Sequence, residues 1–315
     1  AAVEGRAGVS LDPAEPMISQ AAYAEAFDQV KAYIAAGDCY QINLTFPMQS
    51  RLCSGTALGL YGALRARQSV GYGAFVDLAA EGAGADVPVL ISRSPELFVR
   101  TDAAGRIESR PMKGTAPRDP DPVRDAELAE DLRGSEKGRA ENLMIVDLMR
   151  NDLGRVSVTG SVHVPRLMAI ESFQTVHQMV STVESRLKPD CTLVDLLYAI
   201  FPGGSISGAP KTRTMQIIDQ LEPAARGVYC GAIGYLGYNC LADLNVAIRT
   251  VSYDGRTLRF GAGGAITFLS DPQGEFDEML LKAEAVLRPI WHYLGCSNSP
   301  FEYRLADVWL SLQKS

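Results

Sequence analysis

Strand-like segments follow one another in this chain without a helix between each pair. YGAFVDL (72–78), VPVLISRSPELFVRT (87–101) and GRIESRPMKG (105–114) come in succession, rich in β-branched and aromatic residues and bounded by glycine or proline. SVHVPRLMAIESF and VHQMVSTVESRL form a second run. A third, DLNVAIRTVSY, leads through Asp254-Gly255, a strong two-residue turn signal, into RTLRFGAGGAIT. Such an order lacks the regular βαβ rhythm of a parallel sheet and predicts an α+β fold with extensive antiparallel sheet.

Helices fall between these runs. Tyr23, Phe27, Val30 and Ile34 recur at helical spacing behind Ser19, a candidate N-cap, and Gly37 marks the stop. RAENLMIVDLMRNDLG and TLVDLLYAIF read as further helices. In GAPKTRTMQIIDQLEP, Pro210 suits a first turn and Met215, Ile218 and Leu221 share a side. A last helix is expected from Glu275 to about Leu287. The charged, turn-rich stretch RDPDPVRDAELAEDLRGSEKG reads as an exposed, mobile loop and helix. There is no internal repeat, low-complexity tract or dividing linker.

A net charge of −7 argues against nucleic acid or an anionic membrane as partner, so an anionic ligand would be held by local features. The opening residues show no basic segment leading into an apolar run, and TLVDLLYAIF, the most apolar stretch, is short and carries Asp195. Cys39, Cys53, Cys191, Cys230, Cys240 and Cys296 are scattered without a CxxC pair, and there are three histidines. This is neither a zinc pattern nor a disulfide scaffold, and points to reduced thiols in a cytoplasmic protein.

The stretch RPMKGTAPR (110–118) puts Lys113 in a Pro/Gly-marked turn between Arg110 and Arg118. A lysine there is commonly a solvated charge. The chemical alternative is a neutral amine, because neighbouring cations and partial burial both disfavour the ammonium form. Glu141 shares a helix face with Ile145 and Leu148, so its carboxylate needs either a buried arginine or another partner. Glu275 and Glu278 also share a face; two helices offering inward carboxylates could build an oxygen-rich Mg²⁺ site. FPGGSISGAPKT fails as a phosphate-binding loop, because Ala209 and Pro210 intervene between Gly208 and Lys211. Its small residues still imply close approach to the backbone and a helix N-terminus suited to an anion such as a carboxylate.

Taken together, GDCYQINL, SRSPELF, RPMKGTAPR, RAENLMIVDLMRNDLGRV, FPGGSISGAPKTRTMQIIDQLEP, GAIGYLGY, AIRT, GAGGAIT and SDPQGEFDEMLLKA resemble, in order, the motifs of the chorismate-utilising enzymes. Within that family they resemble most the aminodeoxychorismate synthase component I branch. The resemblance implies one catalytic domain over residues 1–290, a β-sandwich surrounded by helices, with most of the family's N-terminal region absent and a tail at 291–315 of unassigned role.

The resemblance further implies that Glu141 and Glu278 ligate Mg²⁺, with Glu275 beside them as a ligand or water-positioning group. Ser205 and Gly208, in the SISGAP turn, would add backbone donors to a ring carboxylate. Tyr235, Arg249, Gly263 and Gly264 match positions receiving the enolpyruvyl carboxylate, and Lys211 would give electrostatic support. Glu96 matches a general acid that protonates the departing C4 hydroxyl. At Gln41, a substrate-binding position, relatives that add water to chorismate carry a lysine base. Lys113 marks the amination branch, as a nucleophile at C2 before ammonia adds at C4; Arg110 and Arg118 are candidates for its activation. Ammonia would come from a glutamine amidotransferase subunit, and the product would serve 4-aminobenzoate and folate synthesis.

Gln178 stands where the family usually has histidine, which agrees with a product that keeps its enolpyruvyl group, and Ala265 replaces a frequent glycine. Anthranilate or isochorismate synthesis, and a catalytically silent chorismate-binding subunit, are the alternatives to amination.

Overall fold

The computed structural model describes residues 9–68, 70–78, 88–174 and 176–291. The chain gathers into two compact units and passes between them four times. It begins in the first with β1 (Ser10–Leu11), β2 (Glu15–Pro16), α1 (Gln20–Ala35), β3 (Gln41–Ser54), α2 (Ala57–Arg67), β4 (Tyr72–Val76) and β5 (Val89–Ser94). After Ser94 it enters the second, with β6 (Leu97–Thr101), β7 (Arg106–Ser109), β8 (Met112–Pro117), α3 (Pro122–Gly134) and α4 (Glu136–Gly154). There follow β9 (His163–Ser172), β10 (Val176–Arg186), α5 (Leu193–Ile200), a 3₁₀ turn at Gly204–Ile206 and β11 (Gly208–Ala209). The chain then returns for α6 (Lys211–Leu221), crosses again for β12 (Ala232–Leu236) and β13 (Ala242–Val246), and ends in the first unit with β14 (Thr250–Tyr253), β15 (Thr257–Ile266) and α7 (Pro272–Trp291).

The first unit is built on the antiparallel order β1-β3-β15-β14-β5-β4, with β2 on β3. Alternation along β3 sends Ile42, Leu44, Phe46 and Met48 to one face, each at most 1% exposed. Burial of each contributes roughly 1.5–3 kcal/mol. They form a core with Tyr23, Phe27 and Val30 of α1 and Phe276, Met279 and Ala283 of α7. The expected cap of α1 is present, the Ser19 hydroxyl accepting from the amide of Ala22.

The second unit has the order β12-β13-β6-β7-β10-β8, with β9 on the other edge of β10. Helix α4 buries Ile145, Val146, Met149 and Leu153. Fully buried Asn142 fixes its rotation, accepting from the Ser181 hydroxyl at 2.5 Å and donating to the Met179 carbonyl. The sequence expectation of an α+β fold with antiparallel sheets is met in both units.

Three local expectations change. DLNVAIRTVSY is not one strand: β13 pairs with β6 and β14 with β5, in different sheets. Arg249 between them adopts φ 50°, which no extended strand accommodates. The buried side of α6 is Thr214 and Ile217, with Ile218 and Leu221 partly covered; Met215 is exposed, and Pro210 sits at the cap rather than inside the first turn. The charged stretch after RPMKGTAPR carries helix α3, mostly exposed but held to β10 by a partly buried hydrogen bond between Asp125 and His177. Among the described residues Cys39, Cys53, Cys191 and Cys240 are free thiols, Cys296 and residues 292–315 lie outside the described residues, and no described helix is long and apolar enough to cross a membrane.

Candidate active site

Lys113, Ser205 and Glu96 meet within the second unit. Lys113 owes its aim to a bulge: Gln178 pairs with Thr115 and Val180 with Met112, so Lys113 and Gly114 together oppose Met179 alone. Gly114 takes φ +86°, and a Cβ there would stand 3.1 Å from Leu132 Cδ1, so the bulge requires glycine. Half-buried Lys113 donates from Nζ to the Ser205 carbonyl at 3.4 Å. Ser205 donates from its hydroxyl to Glu96 Oε1 at 2.9 Å.

Glu96 is only 6% exposed. Burial, the largest influence, pushes its carboxyl up to about 7, against the Ser205 hydrogen bond, the Lys113 charge and the Met112 amide. A carboxyl poised there carries a proton at neutral pH and can give it up. The small residues of FPGGSISGAP answer packing: a Cβ on Gly204 would meet Leu148 Cδ2 at 2.4 Å, and one on Gly203 the Phe98 ring at 3.4 Å. Ser207 closes the turn by donating to the Gly203 carbonyl at 2.8 Å.

The two arginines of RPMKGTAPR have their own carboxylates. Arg110 pairs with Glu171, and Arg118 pairs with Asp125 at 2.8 Å while donating to the Phe173 carbonyl at 2.7 Å. Asp125 also meets His177 Nε2 at 2.9 Å, and His177 Nδ1 meets the Ser172 hydroxyl at 2.8 Å. Gln178 is buried and makes no side-chain hydrogen bond among the described residues. Glu141 is half-buried on α4 beside Asn142, Gly208 is buried, and Tyr235 is exposed on the edge strand β12.

A second group forms in the first unit. Glu275 lies in the first turn of α7, buried, and its Oε1 accepts from the Ser270 hydroxyl at 2.5 Å. Its Oε2 lies 2.9 Å from where a Cβ on Gly264 would be, so the missing side chain opens space for the carboxylate. Gly263 is required by the sheet, since its Cβ would lie 2.3 Å from the Leu44 carbonyl oxygen. Lys282 bridges the group, pairing with Glu278 at 2.7 Å and donating to the Gly263 carbonyl at 3.3 Å. Nearby, the Tyr23 hydroxyl is buried without a hydrogen-bond partner among the described residues; burial, and then the charges of Glu275, Glu278 and Asp271, hold its proton on more tightly than usual.

Gln41 is fully buried at the start of β3, and neither amide atom has a hydrogen-bond partner among the described residues. Arg249 is largely buried, has no ion-pair partner among the described residues, and has its proton affinity lowered by loss of solvent. Lys211 opens α6, whose cap residue Pro210 offers no side-chain acceptor to the first amides. Sequence reasoning missed Ser270, Tyr23 and Lys282, because which groups they meet is set by the packing of α7 and its preceding turn rather than by any periodic mark.

Against the expectation of two inward carboxylates, Glu275 is buried whereas Glu278 is exposed and paired with Lys282; both offer hard oxygens, and the Gly264 space leaves room at Glu275 Oε2. The pair fits Mg²⁺, which commonly uses one or two carboxylates and completes its shell with water and ligand oxygens. No three His, Cys, Asp or Glu side chains converge as a metal cluster among the described residues.

Comparison with known proteins places this geometry in a family. Residues 4–288 match the model described as chorismate binding enzyme. The chain is 46% identical over 266 residues to the chloroplastic aminodeoxychorismate synthase of Arabidopsis thaliana, covering 84% of this chain and 28% of that protein. It is 45% identical to aminodeoxychorismate synthase component 1 of Salmonella typhimurium, covering 85% of this chain and 57% of that one. It thus spans well under two thirds of the curated relatives' length. Among solved structures, anthranilate synthase component I from Streptococcus pneumoniae superposes with a TM-score of 0.78 at 34% identity, over 89% of this chain and 60% of that one. With the family model matched over nearly its whole length, the chain belongs to the chorismate binding enzymes.

Proposed function

We propose that the chain is the catalytic part of an aminodeoxychorismate synthase, aminating chorismate at C4. The observation that carries this reading is the junction of Lys113, Ser205 and Glu96, which brings an amine and a near-neutral carboxyl to one residue. Hydroxide is a poor leaving group, so the Glu96 proton is needed as the C4–O bond breaks. Once it has given up its proton, the Lys113 amine forms a bond to C2 as the ring double bonds shift and the C4 hydroxyl, protonated by Glu96, departs as water. Ammonia then bonds to C4, the double bonds shift back, the C2–N bond breaks, and Lys113 is released. Splitting one difficult displacement into two explains why a lysine stands in this motif.

Arg249, a desolvated cation with no charged partner among the described residues, suits one carboxylate of the substrate. The hydrogen-bonding demand of buried Gln41 suits a bound polar ligand. Mg²⁺ held by Glu278, with Glu275 beside it as a ligand or water-positioning group, would neutralise a substrate carboxylate. The names of the component 1 relatives point to a second component, and a glutamine amidotransferase supplying ammonia in the cytoplasm is the partner we assign.

The test is to incubate the chain with chorismate, ammonium and Mg²⁺, with a metal-free control, and identify products by mass spectrometry against standards. Aminodeoxychorismate is expected. Anthranilate or isochorismate would place the chain in another branch, and unchanged chorismate would make it a silent binding subunit.

A further inference from the structure

We infer that Lys31 is a positioning residue for the Glu275 carboxylate, acting through the turn at residues 267–270. The inference rests on the reading of Glu275 as part of a Mg²⁺ site.

Lys31 lies on α1, and its ammonium donates to three carbonyls of one short segment: Thr267 at 3.3 Å, Phe268, and Ser270 at 3.1 Å. An ammonium has three N–H donors and no acceptor, so these three carbonyls saturate it. The same ammonium lies over two rings, with Nζ 5.9 Å from the Phe27 centroid and 5.3 Å from that of Phe268.

The turn held in this way aims one hydroxyl. Ser270 donates its amide to the Thr267 carbonyl at 3.3 Å, and its Oγ accepts from the Thr267 amide at 3.2 Å. With that lone pair engaged, the hydroxyl proton goes to Glu275 Oε1 at 2.5 Å. Oε2 faces Gly264, on the side where a cation would be met. Lys31 does not touch the carboxylate; it holds the carbonyls of the turn that carries the hydroxyl that orients it. Groups of this outer kind typically set metal affinity nearly as strongly as the ligands do.

The experiment is Mg²⁺ titration calorimetry on the full chain in the presence of chorismate, for wild type, Lys31→Met, Ser270→Ala and the double variant. Methionine keeps an unbranched side chain of similar length while removing the ammonium and its three donors. Each single variant is expected to weaken Mg²⁺ binding about tenfold, with the double variant no weaker than the worse single one. Lys31→Arg, which retains donors, should recover part of the loss. A Lys31→Met constant equal to wild type, or additive losses in the double variant, overturns the inference. Wild type that takes up no Mg²⁺ overturns the metal reading and this inference with it, whereas wild-type binding with an unmoved variant overturns this inference alone.

Discussion

The hydroxyl of Ser205 donates to Glu96 at 2.9 Å while the carbonyl of the same residue accepts from Lys113 at 3.4 Å. One residue therefore touches both the acid and the amine. The hydrogen bond favours the ionised form of Glu96, and burial opposes it more strongly, leaving the carboxyl near 7. An acid with that proton affinity is lost as pH rises through about 7, so kcat/KM should fall on the alkaline side of that point. Ser205→Ala removes an interaction favouring the charge, raises the proton affinity and should move the alkaline limb to higher pH; Ser205→Thr should leave it in place. A pH–rate profile for the three proteins checks this, and an unmoved limb in Ser205→Ala contradicts it. Glu96→Gln is expected to lower kcat by about 10²–10⁴-fold.

Lys113→Ala should abolish any covalent chorismate adduct seen by intact-protein mass spectrometry after quenching without ammonia. An adduct that persists in the variant removes Lys113 from the nucleophile's role. Because the Lys113 charge also favours ionised Glu96, residual turnover in this variant should show a raised alkaline limb.

Arg249 should matter to binding more than to folding. It stands largely desolvated, at φ 50° and without a carboxylate partner among the described residues. Arg249→Met should therefore keep or raise the melting temperature while weakening chorismate binding by about 2 kcal/mol or more. Calorimetric melting together with equilibrium chorismate titration separates the two effects. A large loss of stability with unchanged affinity would make the arginine structural.

Adjacent glycines should fail in different ways. In Gly263→Ala the new methyl meets backbone, the Leu44 carbonyl oxygen at 2.3 Å, and the sheet must yield, costing about 1–3 kcal/mol in urea unfolding. In Gly264→Ala it meets the end of a side chain, Glu275 Oε2 at 2.9 Å, which can swing away. Stability should change little there, and Mg²⁺ affinity should fall. Equal unfolding losses in both variants would refute the distinction.

Local patterns were sufficient for what depends on local geometry. The spacing of Tyr23, Phe27 and Val30 sets the buried face of α1, and Ser19 caps it. Asp254-Gly255 turns β14 into β15, with Gly255 at φ +91°. The succession of strands without a crossover helix is enough for antiparallel sheets, and the ordered motifs are enough for the family. Other features arise only when distant segments meet. Whether 242–253 is one strand or two was settled by pairing with β6 and β5, not by its alternation. The aim of Lys113 depends on how β8 registers against β10, and the proton affinity of Glu96 on how thoroughly it is stripped of water. The grip of Lys31 on a turn 236 residues further along carries no periodic mark at all. Periodicity encodes backbone conformation and facing; register, desolvation and long-range hydrogen bonds are properties of the packed chain, so only the tertiary structure decides them.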